Sequence, residues 1–128
     1  MPRLILIVED SETCAETLQI ALESLPGLEV RALSSPRAAF ATLHQTGSKA
    51  GDEVAAIITD LHMPQSDGLD LIRQLRAEPR FARLPILLIS GDSDPRLEAR
   101  ALAQGADAFF PKPYSPAAVR KKLEQLLC

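Results

Sequence analysis

The sequence predicts an α/β protein, a doubly wound five-stranded parallel sheet with helices on both faces. Three observations predict it. Five short runs, Leu4–Val8, Leu28–Leu33, Val54–Thr59, Pro85–Ser90 and Asp107–Phe110, alternate with stretches of helical periodicity. Leu4–Val8 and Ile86–Ile89 are almost wholly aliphatic, which suits strands covered on both faces. The alternation continues through the whole short chain, and that pattern favours parallel strands joined by crossover helices.

Each element has its own justification. After Leu4–Val8, the residues Cys14, Leu18, Leu22 and Leu25 fall on one helical face, with Cys14 expected in the core. Pro26-Gly27 stops that helix. After Leu28–Leu33, Ser35-Pro36 supplies an N-cap oxygen and then a proline whose missing N–H would have had no partner anyway. Gly47 ends this second helix, and Gln45–Asp52 reads as the longest polar connection. Val54–Thr59 leads into Met63-Pro64 and Asp67-Gly68, turn chemistry that starts a third helix, which Pro79 stops. Pro85–Ser90 leads to a fourth helix, expected to begin at Asp94-Pro95 and end at Gly105. Asp107–Phe110 leads through a proline-flanked loop to Ser115-Pro116 and a last helix with Val119, Leu123 and Leu126 on one face.

Composition narrows the function classes. The 128 residues are one domain's worth, taken as residues 1–128. The net charge of −3 and the absence of Trp argue against a direct nucleic-acid partner. Cys14 and Cys128 fit no metal or redox spacing, which suits a reducing cytoplasm. The apolar run at the N-terminus is too short to span a bilayer and ends in an acidic pair, so no membrane association is expected.

Open parallel sheets bind ligands outside the carboxyl ends of their strands. There the sequence places Glu9-Asp10, Asp60, Ser90-Gly91 and Lys112-Pro113. Three carboxylates in one cleft repel each other, and one lysine cannot neutralise all three. A hard divalent ion with oxygen ligands and open positions, Mg²⁺, answers that charge. A carboxylate can attack phosphorus, and a cation, an ammonium and a small hydroxyl can each stabilise one oxygen of the transferring group. Gly91 leaves room and offers an N–H nearby. Asp60 is therefore the candidate phosphoacceptor, with Lys112 and Ser90 beside it.

Glu9-Asp10, then Asp60-Leu61-His62-Met63-Pro64-Gln65-Ser66-Asp67-Gly68, then Ser90-Gly91, then Lys112-Pro113 stand in the order and spacing of one family. From Arg3 through Leu126 the chain resembles the receiver domains of two-component response regulators, of the chemotaxis-regulator kind. The resemblance implies a flavodoxin-like sheet with strand order 2-1-3-4-5. It implies that Asp60 takes a phosphoryl group from a histidine kinase or phosphotransfer protein, with only weak Mg²⁺-dependent self-phosphorylation and self-dephosphorylation and no enzyme activity beyond that. Asp10, Asp60 and the backbone carbonyl of His62 would hold Mg²⁺, with Glu9 in the outer shell. Ser90 and Phe109 would be the switch pair, carrying the signal to a downstream protein or a second copy through helix 4, strand 5 and helix 5. Arg96, Arg100, Tyr114, Arg120 and Lys121 would rim that face. The chain has Phe and Ser where many relatives have Tyr and Thr. The resemblance also suggests a cis Lys112–Pro113 bond, which the sequence leaves open.

Rival readings fare worse. An aspartyl-phosphate hydrolase would want a second acid at the position of His62 and a cap domain. A flavin-binding relative would want a hydroxyl- and Gly-rich loop where Glu9-Asp10 stands, and two acids repel a phosphate. A phosphorylation-independent interaction module is the alternative kept, although the full set of acids and the lysine is present. His44 is expected at the surface, and His62 is expected to overlook the site in a gating role.

Overall fold

The structure is a computed structural model. It describes residues 3–9, 11–46, 54–63, 66–91 and 94–127, and at positions 36, 44–46, 62, 63, 66, 67 and 80 the backbone alone. Five strands form one parallel sheet: β1 (Arg3–Val8), β2 (Leu28–Leu33), β3 (Val54–Asp60), β4 (Ile86–Ser90) and β5 (Ala108–Pro111). Their order is β2-β1-β3-β4-β5. Five α-helices connect or follow them: α1 (Glu12–Glu23), α2 (Pro36–Thr46), α3 (Gly68–Arg76), α4 (Leu97–Gln104) and α5 (Pro116–Leu127). A two-residue ribbon, His62–Met63 against Ser66–Asp67, lies between β3 and α3.

The period-2 geometry of the strands sorts the core into two layers. Leu4, Leu6 and Val8 of β1, Ile57 of β3, and Ile86 and Leu88 of β4 face one layer. That layer is closed by Ala39 and Leu43 of α2, Leu71, Ile72 and Leu75 of α3, and Leu97 and Ala101 of α4. Ile5, Ile7, Ala56, Ile58, Leu87 and Ile89 face the other, closed by Ala15, Leu18 and Leu22 of α1 and Val119 and Leu123 of α5. This is why the central runs are aliphatic at every position: both faces are buried. Each fully buried Ile or Leu contributes about 1.5–3 kcal/mol by leaving water. The edge strand β2 has only Val30 buried, and its sequence is correspondingly mixed.

The ends of the elements follow the expected chemistry with instructive exceptions. Ser35 Oγ accepts from the Ala38 N–H at 3.2 Å and Ser115 Oγ from the Ala118 N–H at 3.3 Å, so both serines cap their helices. Ser11 caps α1 in the same way, through the Cys14 N–H at 3.4 Å. Gly105 closes α4 at φ +116°, a conformation that favours glycine. α4 itself starts later than Asp94-Pro95 suggests. The Asp94 carboxylate accepts from the Arg96 N–H at 2.9 Å and its carbonyl from the Leu97 N–H at 3.1 Å, which makes a turn that the helix follows. Pro79 opens a 3₁₀ turn, Pro79–Phe81, beyond the end of α3. Gln45 and Thr46 belong to α2, while Gly47 and the rest of the expected loop lie outside the described residues. Cys14 is half-buried rather than in the core, because Ala15 and Leu18 take the inward positions of α1. Among the described residues no helix is long and apolar enough to cross a membrane.

Candidate functional site

The chain turns back across β1 after β2, so β3 lies on the other side of β1, and the strand order reverses between them. Glu9 directly follows β1 and Asp60 ends β3, which puts two carboxylates at this switch point. Both are buried, at 4% and 5% exposure. Ser90 ends β4 and is fully buried, one step past Ile89, the residue paired with Asp60.

Lys112 follows β5. Its backbone N–H donates to the Ser90 carbonyl at 2.7 Å, which carries the β4–β5 pairing one residue past the strand and aims the side chain across the sheet. The Lys112–Pro113 peptide is cis. The Lys112 ammonium donates to Asp60 Oδ2 at 2.8 Å and to Glu9 Oε2 at 3.0 Å. Glu9 Oε1 accepts from the Ser11 N–H at 3.1 Å. One cation therefore bridges two buried acids drawn from the ends of β1 and β3.

The electrostatics follow from that geometry. Burial pushes the Glu9 carboxyl above its ordinary value; the Ser11 N–H and the Lys112 ammonium pull it back, and the Asp60 charge raises it again. For Lys112, burial works to lower the proton affinity. The hydrogen bonds to Asp60 and Glu9, with their charges, outweigh burial and hold it above the usual lysine range, so the ammonium stays charged at neutral pH. The Tyr114 phenol is pushed up to about 12, first by burial and then by the neighbouring Cys14 and Glu9.

The loop after Asp60 is set by a close approach. The Gly68 N–H donates to the Leu61 carbonyl at 2.8 Å, and a Cβ on Gly68 would collide with the Asp60 carbonyl oxygen. The glycine opening α3 is thus what lets this helix start against the end of β3. Gly91 is less constrained than its place in the motif suggests. A Cβ there would meet Lys112 Cδ at 3.8 Å, an ordinary contact.

The structure brings Glu9, Asp60 and Lys112 into direct contact and places Ser90 at the adjoining strand end. Asp10 lies outside the described residues. The backbone of His62 opens the short ribbon just after Asp60, and its side chain, like that of His44, is outside the description. Phe109 is half-buried in β5, paired with Leu88 and packed on the layer that α3 and α4 close. Of the residues expected to rim the outer face, Arg96, Arg100 and Lys121 are exposed, while Tyr114 is half-buried against the layer of α1 and α5. Two contacts, one in the cleft and one at the far end of the sheet, were not read from the sequence. Ser11 caps α1, and its N–H bond to Glu9 has no local signature in the sequence. Arg76 ties the opposite end of the sheet together: its guanidinium donates to the carbonyls of Gly105 (2.8 and 3.0 Å) and Phe81 (2.7 Å).

Comparison with known proteins places this parallel α/β domain, with its two acids and a lysine gathered at the switch point, in a family of signalling domains. The family model described as "Response regulator receiver domain" matches residues 5–124. The chain belongs to this family, whose members are signalling domains rather than classical enzymes. Chemotaxis protein CheY1 of Helicobacter pylori is 30% identical over 123 residues, covering 96% of this chain and 95% of that protein. The crystal structure of the signal receiver domain of a signal transduction histidine kinase from Syntrophus aciditrophicus superposes with a TM-score of 0.83 at 36% identity, over 98% of this chain and 89% of that one. Chemotaxis response regulator CheY4 of Vibrio cholerae superposes with a TM-score of 0.80 at 26% identity, over 99% of this chain and all of that one.

Proposed function

We propose that this receiver domain accepts a phosphoryl group on Asp60 from a phosphohistidine of a histidine kinase or phosphotransfer protein. The observation that carries the reading is the Lys112 ammonium bridging the buried carboxylates of Asp60 and Glu9 at the strand ends. An Asp60 oxygen attacks phosphorus, the P–N bond to the donor breaks, and the donor imidazole leaves with the electron pair. Lys112 lies where it can follow the transferred oxygens, and Ser90 can turn its hydroxyl toward them.

The donor set fits a divalent ion. The proposed ligands are oxygens alone, and two acids of the same cleft, Asp60 and Glu9, already hold one cation, the Lys112 ammonium. Asp60, Asp10 and the His62 carbonyl would hold Mg²⁺, with Glu9 in the outer shell. When bound, the ion supplies positive charge for the phosphoryl oxygens.

Phosphorylated Asp60 gives Ser90 a charged acceptor, a stronger partner than a neutral one. The movement of Ser90 vacates space beside Phe109 and biases the face of α4, β5 and α5 toward a downstream protein or a second copy of the chain. The setting we assign is the cytoplasm, where histidine kinases present their phosphohistidine.

Treatment with acetyl phosphate and Mg²⁺ followed by intact-mass measurement tests the assignment. The wild-type chain should gain one phosphoryl group and Asp60→Asn none. An adduct on the Asn variant would move the acceptor to another residue, and undiminished labelling after metal removal would sink the Mg²⁺ site.

A further inference from the structure

We infer that Glu9 is a positioning residue for Lys112: it holds the ammonium beside Asp60, a role separate from any outer-shell part it takes toward a metal ion. Both of its oxygens are committed, Oε2 to Lys112 Nζ at 3.0 Å and Oε1 to the Ser11 N–H at 3.1 Å. Its side chain is wholly enclosed, at 0% exposure against 25% for Lys112. The carboxylate is thus fixed from the backbone that starts α1, where Ser11 also caps the helix through the Cys14 N–H.

A lysine side chain is a point charge on a flexible four-carbon stem. Held by Asp60 alone, Lys112 would depend on the one carboxylate that chemistry is proposed to change. Held also by Glu9, its ammonium keeps its place while Asp60 reacts, which is how a fixed charge is made ready for the incoming oxygens. The length of the side chain matters. An Asp at this position would reach about 1.5 Å less, one C–C bond, and could not span from the Ser11 N–H to Lys112 Nζ.

The consequence for rate rests on the proposed phosphorylation of Asp60; the hold on Lys112 does not, because it is a direct contact between two side chains of the chain itself. Two experiments separate these. The first is side-chain NMR relaxation at Lys112 Cε in metal-free protein, with exposed Lys121 as reference. Asp60→Asn should leave Lys112 more ordered than Lys121, since Glu9 still holds it. Adding Glu9→Asp should drop Lys112 to the level of Lys121. If Asp60→Asn alone frees Lys112, or the second substitution changes nothing, the inference is overturned. The second is the maximal rate of phosphorylation by acetyl phosphate at saturating Mg²⁺. Glu9→Gln should lower it about tenfold, the lower end of what one charge-assisted hydrogen bond supplies. In a Lys112→Ala background the same substitution should have no further effect. Recovery of the wild-type rate by saturating Mg²⁺, or an equal loss with and without Lys112, would assign Glu9 to the metal alone. A wild-type chain that takes no phosphoryl group would refute the proposed function, and the NMR experiment would still decide this inference.

Discussion

Replacing Arg76 with Ala should destabilise the domain by about 3 kcal/mol without touching the phosphorylation cleft. Arg76 leaves α3 at the opposite end of the sheet and is only 17% exposed. Its Nε and Nη2 donate to the Gly105 carbonyl, its Nη1 to the Phe81 carbonyl, and its Nη2 lies 3.2 Å from Asp107 Oδ2. Asp107 in turn accepts from the Ile86 N–H at 2.8 Å, where β4 begins. One side chain therefore joins α3, the 3₁₀ turn, the end of α4 and the starts of β4 and β5. Hydrogen bonds to a charged group contribute about 1.5–3 kcal/mol each. The two bonds to Gly105 share one acceptor, so they count as one. The Asp107 pair is 36% exposed on the acid side and adds no more than about 0.5 kcal/mol after solvent screening. Freeing an arginine returns roughly 1.5–2 kcal/mol of side-chain entropy. The net is about 3 kcal/mol, which at about 2.1 cal/mol/K per residue lowers the melting temperature by roughly 10 °C. Urea unfolding at fixed pH with an unchanged m-value measures it. Arg76→Lys should recover less than half, since an ammonium cannot reproduce the planar fork. A loss below about 1 kcal/mol for Arg76→Ala, or full recovery by Lys, would refute this account.

Three further outcomes follow from the cleft and its surroundings. Gly68→Ala should destabilise the domain by about 1–3 kcal/mol through overpacking, because its Cβ has no room beside the Asp60 carbonyl; wild-type stability in thermal unfolding would mean that α3 can shift outward. Lys112→Ala should still accept some phosphoryl from acetyl phosphate but lose the change in amide exchange over residues 94–105 and 109–115 that beryllofluoride with Mg²⁺ induces in the wild type; a normal exchange change would deny Lys112 its coupling role. Tyr114 is the single tyrosine and there is no Trp, so tyrosinate absorbance reports it directly. It should titrate near 12 in the folded chain and near 10 once unfolded. A phenol whose folded value is raised contributes stability that is complete below pH 10 and is lost as pH rises from 10 through 12, and Tyr114→Phe should remove that loss. Folded-state titration at 10 would show the phenol to be solvated.

The sequence by itself determined the sheet and the identity of the strand-end residues. The reason is local: a strand buried on both faces must be aliphatic at every step, as Leu4–Val8 and Ile86–Ile89 are, and Ser35 and Ser115 can cap only the residues beside them. Where the signal was local but shared between two structures, the reading slipped. Asp94-Pro95 suits a helix start and a turn equally well, and the chain takes the turn, with Asp94 accepting from the Arg96 and Leu97 N–H groups and α4 beginning at Leu97. Cys14 and Ala15 both sit near one helical face, and it was the position of the sheet that turned Ala15 inward and left Cys14 half-buried. Only the tertiary structure decided who touches whom across the cleft and beneath it. Lys112 meets Glu9 across 103 positions of sequence and Asp60 across 52, and Arg76 meets Gly105 across 29. These contacts depend on the order β2-β1-β3-β4-β5 and on a lysine aimed by the Ser90 carbonyl. Such partners leave no periodicity in the chain, because a long flexible side chain can reach any acceptor that folding brings within a few ångströms of it.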